Sequence, residues 1–404
     1  MPTTTSYHAL AAPFDGAVLL VTPWYGGSAG GVAVSTETIA GALVRAGVRV
    51  VVLTLAESSN DQTGHGRFGE PLATVCLYGR DVRRRDLKGA LGYYRRALEA
   101  GLTLLRLVRR HRIRVAHLNY GMPEYAPLLT WLKLLRVPAV LTLRGSDVHE
   151  MEPATPEAAD MNAVVEAATQ VTAVSEGLLE IALDRLPAAH GKAQTVHNVA
   201  PLDVWDAAAA VPIDTGRDTD VLFVGNLQAV KGPDFLIEVF ARVVQRRPRT
   251  SLSIVGSGDM EAELRETVAR LGLDTNVRFL GRRSRRDIPG YLRRARVLAI
   301  PSRGEGLPLV AVEAQLYGTP VVGTAVGGLP EAVVSGQTGT IVPFGDTRAF
   351  ADALLSLLDD GVKWKRKSGQ ARRWALRAFD PAIAVERYLE LYGELVPDAV
   401  PIAS

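Results

Sequence analysis

The sequence predicts an α/β protein of two successive doubly wound parallel sheets, and three observations carry that prediction. A chain of 404 residues is too long for one typical core and suits two domains of about 150–200 residues each. The succession strand, glycine turn, helix, strand occurs once from Ala17 and again from Asp220. Between the two copies, residues 205–219 (WDAAAAVPIDTGRDT) have the small, polar and proline content of a linker.

Taken in order, AVLLVTP (17–23) reads as the first strand. The glycine cluster at 26–31 turns it into the helix-like VAVSTETIAGALVRAG (32–47), and VRVVVLT (48–54) follows as a strand. RVAHLN (114–119), PAVLTLR (138–144) and QVTAVS (170–175) continue the first Rossmann-like half, alternating with helix-like segments. The second half opens at DVLFVGN (220–226), turns through LQAVKG (227–232) and enters the helix PDFLIEVFARVVQRR (233–247). Its further strands are TSLSIVG (250–256), NVRFLG (276–281) and RVLAIPS (296–302). PAIAVERYLELYGEL (381–395) reads as an amphipathic terminal helix. The expected domains are therefore 1–204, a linker at 205–219, 220–380, and a terminal segment 381–404.

Composition narrows the function classes. A hydrophobic content of 47% with 22% charged residues is that of a soluble globular protein. No apolar run reaches the roughly 18–20 residues that span a bilayer, and MPTTTSYHALAAPFDG has no basic region before its short apolar patch, so no signal peptide is expected. Cys76, the single cysteine, excludes an intrachain disulfide and a cysteine-rich zinc site, and points to the cytoplasm. A net charge of +3 is too weak and dispersed for nucleic acid. One basic helix, within 86–114, has apolar residues at 91, 94, 98, 102, 105 and 108 interspersed with Arg95, Arg96, Arg106, Arg109 and Arg110. An ordinary domain helix with a solvated face is favoured over a membrane-surface helix.

The chemistry concentrates in PSRGEGLPLVAVEAQLYGTPVVGTAVGGLPEAV, residues 301–333. A strand-like run leads into a glycine turn and then a helix starting near Pro308. Unpaired N–H groups and the dipole at a helix start favour an anion. Glu305 precedes that start and Glu313 lies inside the helix; if both were helical they would sit within about 80° of each other. An anion flanked by two carboxylates that accept from hydroxyls describes a nucleotide sugar. The Glu-x7-Glu spacing, with PSRGEG before it and GTPVVGTAVGGLPE after, resembles the signature of retaining glycosyltransferases of family 4, which have the GT-B fold.

That resemblance implies two Rossmann-like domains facing a central cleft, with the terminal helix crossing back onto the first. It implies that Glu305 binds donor-sugar hydroxyls, that backbone groups of Gly306 and Leu307 hold the diphosphate, and that Glu313 binds the ribose. After strand VLFV, Gly225, Asn226 and Lys231 stand where the family usually has Gly-Arg…Lys-Gly; Asn226 replaces the arginine and leaves more of the diphosphate charge to Lys231. Gly256 could approach the ligand closely, and the loop of Gly281, Arg282 and Arg283 is expected to hold the base through its backbone. In the first half, Gly30 and Gly31 could admit phosphate. Many relatives carry a histidine at Arg144; an arginine cannot act as a base but suits a phosphate or an acidic acceptor. Asp147 is expected to orient Arg144 or touch the acceptor, and His117, Asn119 and His149 are the acceptor-side candidates. Gly327 and Gly328 read as structural and Glu331 as a helix-start carboxylate.

Asp218 and Asp220 form the Asp-x-Asp that binds metal in another glycosyltransferase fold, but they precede a strand, at its wrong end for ligand chemistry. No cofactor and no essential metal are expected. The expected activity is transfer of a sugar, with UDP the favoured carrier and GDP next, to a hydroxyl of a small molecule, glycan or lipid-linked acceptor. Two alternatives share the architecture: a nucleotide-sugar 2-epimerase and a non-catalytic nucleotide-sugar-binding subunit.

Overall fold

A computed structural model of the chain describes residues 16–25, 30–55, 64–75, 77, 87–152, 155–210, 213 and 216–396. The start of the glycine cluster (26–29), Cys76, the N-terminal lead-in and part of the expected linker lie outside them. The chain divides into two units: Met1–Val199 with Pro381–Ser404, and Ala200–Asp380.

In the first unit, strands β1 (Ala17–Thr22), β2 (Arg49–Leu55), β3 (Gly64–His65), β4 (Pro71–Val75), β5 (Ile113–Asn119), β6 (Ala139–Leu143), β7 (Gln170–Ala173) and β8 (Ala193–Thr195) form one sheet in the order β3-β4-β2-β1-β5-β6-β7-β8. Only the β3–β4 pairing is antiparallel. All six residues of β1 and all five of β6 are buried, as expected of parallel strands covered on both faces. The strand order reverses between β1 and β5, which opens a crevice at their carboxyl ends.

The C-terminal helix Pro381–Leu395 belongs to this unit and packs on the helix Gly31–Arg45. It brings Tyr392, whose hydroxyl lies 2.6 Å from Nδ1 of His117; Nε2 of the same ring lies 2.6 Å from the Thr142 hydroxyl. His117 is wholly buried, and burial first, then the Arg144 charge, lowers its pKa to about 3. The expectation that His117 lines the acceptor side is therefore corrected: both ring nitrogens are engaged inside the sheet, and the residue ties β5 to the terminal helix.

The second sheet contains β9 (Thr219–Val224), β10 (Leu252–Val255), β11 (Val277–Gly281), β12 (Ala295–Ile300), β13 (Val321–Thr324) and β14 (Gly339–Val342), in the order β11-β10-β9-β12-β13-β14. All five pairings are parallel. Phe235, Leu236 and Phe240 of the helix Pro233–Arg246 meet Phe350 and Leu354 of the helix Thr347–Asp359 in its core. Here the order reverses between β9 and β12.

Two expectations change. Residues expected to begin the linker form the helix Leu202–Ala210; Leu202, Val204 and Ala208 are buried, and the alanine run suits a helix. The unit boundary accordingly falls at 199/200. In the helix Leu87–His111, Tyr93, Ala100 and Leu104 face inward, while Leu91, Tyr94, Leu98 and Leu102 are exposed. The periodic stripe read from the sequence is the outward one. No helix among the described residues is long and apolar enough to cross a membrane.

The buried neutral His117 generates a pH prediction. Its folded pKa lies below the unfolded value near 6.5, so its contribution is intact above about pH 6.5 and is lost as pH falls toward about 3. The slope should approach about 1.4 kcal/mol per pH unit between those limits. Urea melts of wild type and His117→Gln should show this part of the acid slope flattened in the variant.

Candidate functional site

At the carboxyl edge of the second sheet, the crevice between β9 and β12 holds an ion pair. The Lys231 ammonium donates to both Glu305 oxygens at 2.8 and 2.9 Å, and the Ser302 hydroxyl donates to Oε1 at 2.6 Å. Glu305 is buried and Lys231 is one-third exposed. The two partners come from adjacent strand ends: Lys231 closes a short 3-10 turn after β9, and Glu305 follows β12.

Main-chain contacts fix that geometry. Gly232 adopts φ +64° against the Pro301 carbonyl, and Gly327 adopts φ +48° against the Glu305 carbonyl. A Cβ at either would run into a main-chain oxygen, so both need glycine. The Arg303 amide donates to the Val230 carbonyl at 2.8 Å, and its guanidinium reaches the Ala229 carbonyl and both oxygens of Asp234. The Thr324 hydroxyl holds the Ser302 carbonyl at 2.6 Å, and the Gly328 amide donates to the Gly306 carbonyl at 2.7 Å. Gly306 and Leu307 are buried in the turn before the helix Leu309–Leu316.

Glu305 is not helical, so the 80° relation to Glu313 does not hold; the Lys231 and Ser302 bonds orient it instead. Glu313 sits inside the helix, 1% exposed, where Arg285 grips both its oxygens at 2.7 and 2.5 Å. Burial pushes its carboxyl above the ordinary range although Arg285 pulls it back. Burial works against the Arg285 charge, but Glu313 outweighs it and leaves the guanidinium above its usual value. Arg282 and Arg283 are exposed beside it. Asn226 is exposed after β9. Gly256 is explained by packing, since a Cβ there would strike the Gly225 carbonyl. Asp218 pairs with Arg294, while Asp220 holds the Ser251 amide at 3.0 Å.

In the first unit, Arg144 directly follows β6 and Asp147 lies in the first turn of the helix Ser146–His149. Asp147 is expected from the sequence to orient Arg144 or touch the acceptor. Instead its carboxylate accepts from the backbone amides of Gly121 (2.8 Å), Arg144 (2.9 Å) and Gly145 (2.7 Å). The guanidinium is held by Asn119, whose Oδ1 accepts from Nε at 2.7 Å and also from Nη2, and by Asn198 Oδ1 at 3.1 Å. His149 is half-buried, with its carbonyl on Arg185. Gly30 precedes and Gly31 opens the helix Gly31–Arg45; both are exposed and a Cβ at either would meet open space, though Gly30 adopts φ +155°, which favours glycine.

Sequence reasoning missed Arg285, Ser302, Arg303 and Asn198. Ser302 and Arg303 lie inside the singled-out PSRGEG; Arg285 belongs to an arginine run in which no spacing marks one member; Asn198 has no signal at all.

The comparisons agree with this layout. The profile of Glycosyltransferase Family 4 matches residues 29–204, and that of Glycosyl transferases group 1 matches 210–374. A D-inositol 3-phosphate glycosyltransferase of Pseudarthrobacter chlorophenolicus is 30% identical over 93% of this chain and 94% of its own length. The chain belongs to glycosyltransferase family 4. A Corynebacterium efficiens enzyme of the same name is 38% identical, over 43% of this chain and 42% of its own length. Among solved structures, the sucrose-phosphate synthase of Thermosynechococcus elongatus superposes with a TM-score of 0.71 at 23% identity, covering 95% of this chain and 100% of that one. Anabaena HepE in complex with UDP gives 0.69 at 20% identity, covering 94% and 100%.

Removing Arg285 should strand a buried carboxylate. Arg285→Met is expected to cost about 3–5 kcal/mol near pH 8, the scale for breaking a buried pair. Without its partner, Glu313 has a folded pKa further above its unfolded value. The deficit is then full at alkaline pH and shrinks as pH falls through the raised pKa. Urea melts near pH 8 and pH 5 check this; an equal deficit at both would contradict it.

Proposed function

We propose that the chain is a retaining glycosyltransferase, independent of metal, that moves a sugar from a nucleoside diphosphate sugar to an acceptor hydroxyl. The observation that carries the reading is the Lys231–Glu305 pair at the strand-order reversal of the second sheet, with Glu313 buried on the helix that follows. Ligands of open parallel sheets bind at that place. UDP is the favoured carrier on the family resemblance. The D-inositol 3-phosphate glycosyltransferases among the relatives support a small polyol as acceptor.

In this reading Lys231 neutralises the departing diphosphate, aided by backbone groups of Gly306 and Leu307 and by the Gly225–Asn226 loop. Glu305, already oriented by Ser302, accepts from sugar hydroxyls. Glu313 accepts from the ribose, and Arg285 keeps it charged and aimed. Catalysis is then positional and electrostatic. The bond from the acceptor oxygen to the anomeric carbon forms on the face where the bond to phosphate breaks. The leaving phosphate oxygen takes the acceptor's proton. No enzyme nucleophile is required.

Donor binding tests the reading directly. Glu313→Ala should lose about 2–4 kcal/mol of nucleotide affinity, since each hydrogen bond to a charged group is worth about 1.5–3. Glu305→Ala should weaken UDP-sugar while sparing UDP. Calorimetry showing unchanged affinities in both would remove the assignment.

Turnover supplies a second test. Lys231→Ala should lower kcat by about 10²–10³, the scale for losing one preorganised charge contact, and wild-type activity should survive EDTA. A metal requirement abolished by changing Asp218 and Asp220 would overturn metal independence. Nucleotide release with an altered sugar and no acceptor would indicate a 2-epimerase. Binding without turnover across acceptors would indicate a binding subunit.

A further inference from the structure

We infer that Arg144 is the anion-binding position of the acceptor, taking a phosphoryl or carboxylate group on the molecule that receives the sugar. The assignment rests on the proposed transfer for the word acceptor; the anion position stands on the surroundings of Arg144 alone.

The guanidinium sits at the carboxyl edge of the first sheet, at the end of β6. Its partners are two neutral amide oxygens, Oδ1 of Asn119 and Oδ1 of Asn198. Both amides are locked in place. Asn119 Nδ2 donates to the Thr36 hydroxyl, which donates to the Val32 carbonyl at 2.9 Å. The Ser35 hydroxyl donates to Asn198 Oδ1 at 2.8 Å. This framework uses three of the five guanidinium N–H donors. The remaining two have no partner among the described residues.

Among the described residues, no carboxylate forms an ion pair with the group. Asp147 is near enough for its charge to be felt at Arg144, but its oxygens face three backbone amides. Burial works against the guanidinium's charge and lowers its pKa from the arginine value, outweighing Tyr388 and Asp147, which raise it. Amide dipoles orient a cation without cancelling it. A carboxylate at position 119 or 198 has nearly the same shape and would cancel the charge. Two asparagines therefore present a fixed, charged fork with two N–H groups to spare, which suits a bidentate oxyanion. His117 beneath is neutral and shares its nitrogens with Tyr392 and Thr142, so it does not compete for the anion.

Inorganic phosphate is the probe. It would be titrated by ³¹P NMR into the full-length wild type, Arg144→Gln and Asn198→Asp, each with and without saturating UDP. The comparison is made with UDP saturating the diphosphate site of the second unit, a condition in which the wild type should still bind phosphate. Both variants should bind it on the order of tenfold more weakly, the loss expected when a charge-assisted contact is removed or filled from within. Their UDP affinities should match wild type. Asn198→Asp leaves Arg144 in place and supplies the internal counter-ion, so it separates lost anion binding from lost fold if Arg144→Gln is unstable. Equal phosphate affinity in all three proteins would overturn the proposal. So would complete displacement of phosphate by saturating UDP in the wild type, which would make the donor's site the one anion position. Failure of wild type to bind UDP would instead sink the donor reading and leave the phosphate titration readable.

Discussion

A parallel sheet covered on both faces leaves polar chemistry few places to go. Its interior strands satisfy their main chains through the ladder and fill both faces with apolar side chains, as β1 and β6 do. Every crossover brings the chain back in the same direction, so the loops at the carboxyl ends gather along one edge. Both units obey this constraint. Arg144 and Asn119 stand at that edge of one sheet, and Gly225, Lys231 and Glu305 at that edge of the other. His117 shows the converse: two residues back from the end of β5 it is wholly enclosed, and it serves packing.

The two edges treat charge differently. Among the described residues of the second unit each buried carboxylate has its cation, Lys231 for Glu305 and Arg285 for Glu313. Such pairs are weak sources of stability, because desolvation offsets their attraction. They do hold oxygens in one orientation. Two charged oxygens with fixed directions suit hydroxyl recognition, and an ammonium left one-third exposed can still reach a phosphate. In the first unit the cation is held by amides and keeps its charge.

Precision at the Lys231–Glu305 pair comes from the backbone. Gly232 and Gly327 let two loops press directly on the Pro301 and Glu305 carbonyls, and Arg303 straps the Lys231 turn to the loop after β12. A loop held that closely leaves its side chains little freedom, which a buried polar network requires.

Much of this was legible in the sequence. The apolar runs at 17–23, 48–54, 220–226 and 296–302 became β1, β2, β9 and β12, because a buried parallel strand must be apolar throughout. The glycine turns after them marked the carboxyl edges of the sheets, and Lys231, Glu305 and Glu313 could be singled out because helix starts and strand ends have local signatures. The short strands β3, β4, β8, β13 and β14 were not read, since their apolar runs are brief or broken by glycine. Only the tertiary structure decided the partners. Arg285 is 28 residues from Glu313, and Asn198 is 54 from Arg144. It turned Asp147 toward three amides, made a helix of residues first read as linker, and put the periodic stripe of the helix Leu87–His111 on the outside. Periodicity shows that a helix has two faces; which face is buried, and which arginine of a run meets a carboxylate, depends on what the rest of the chain brings against it.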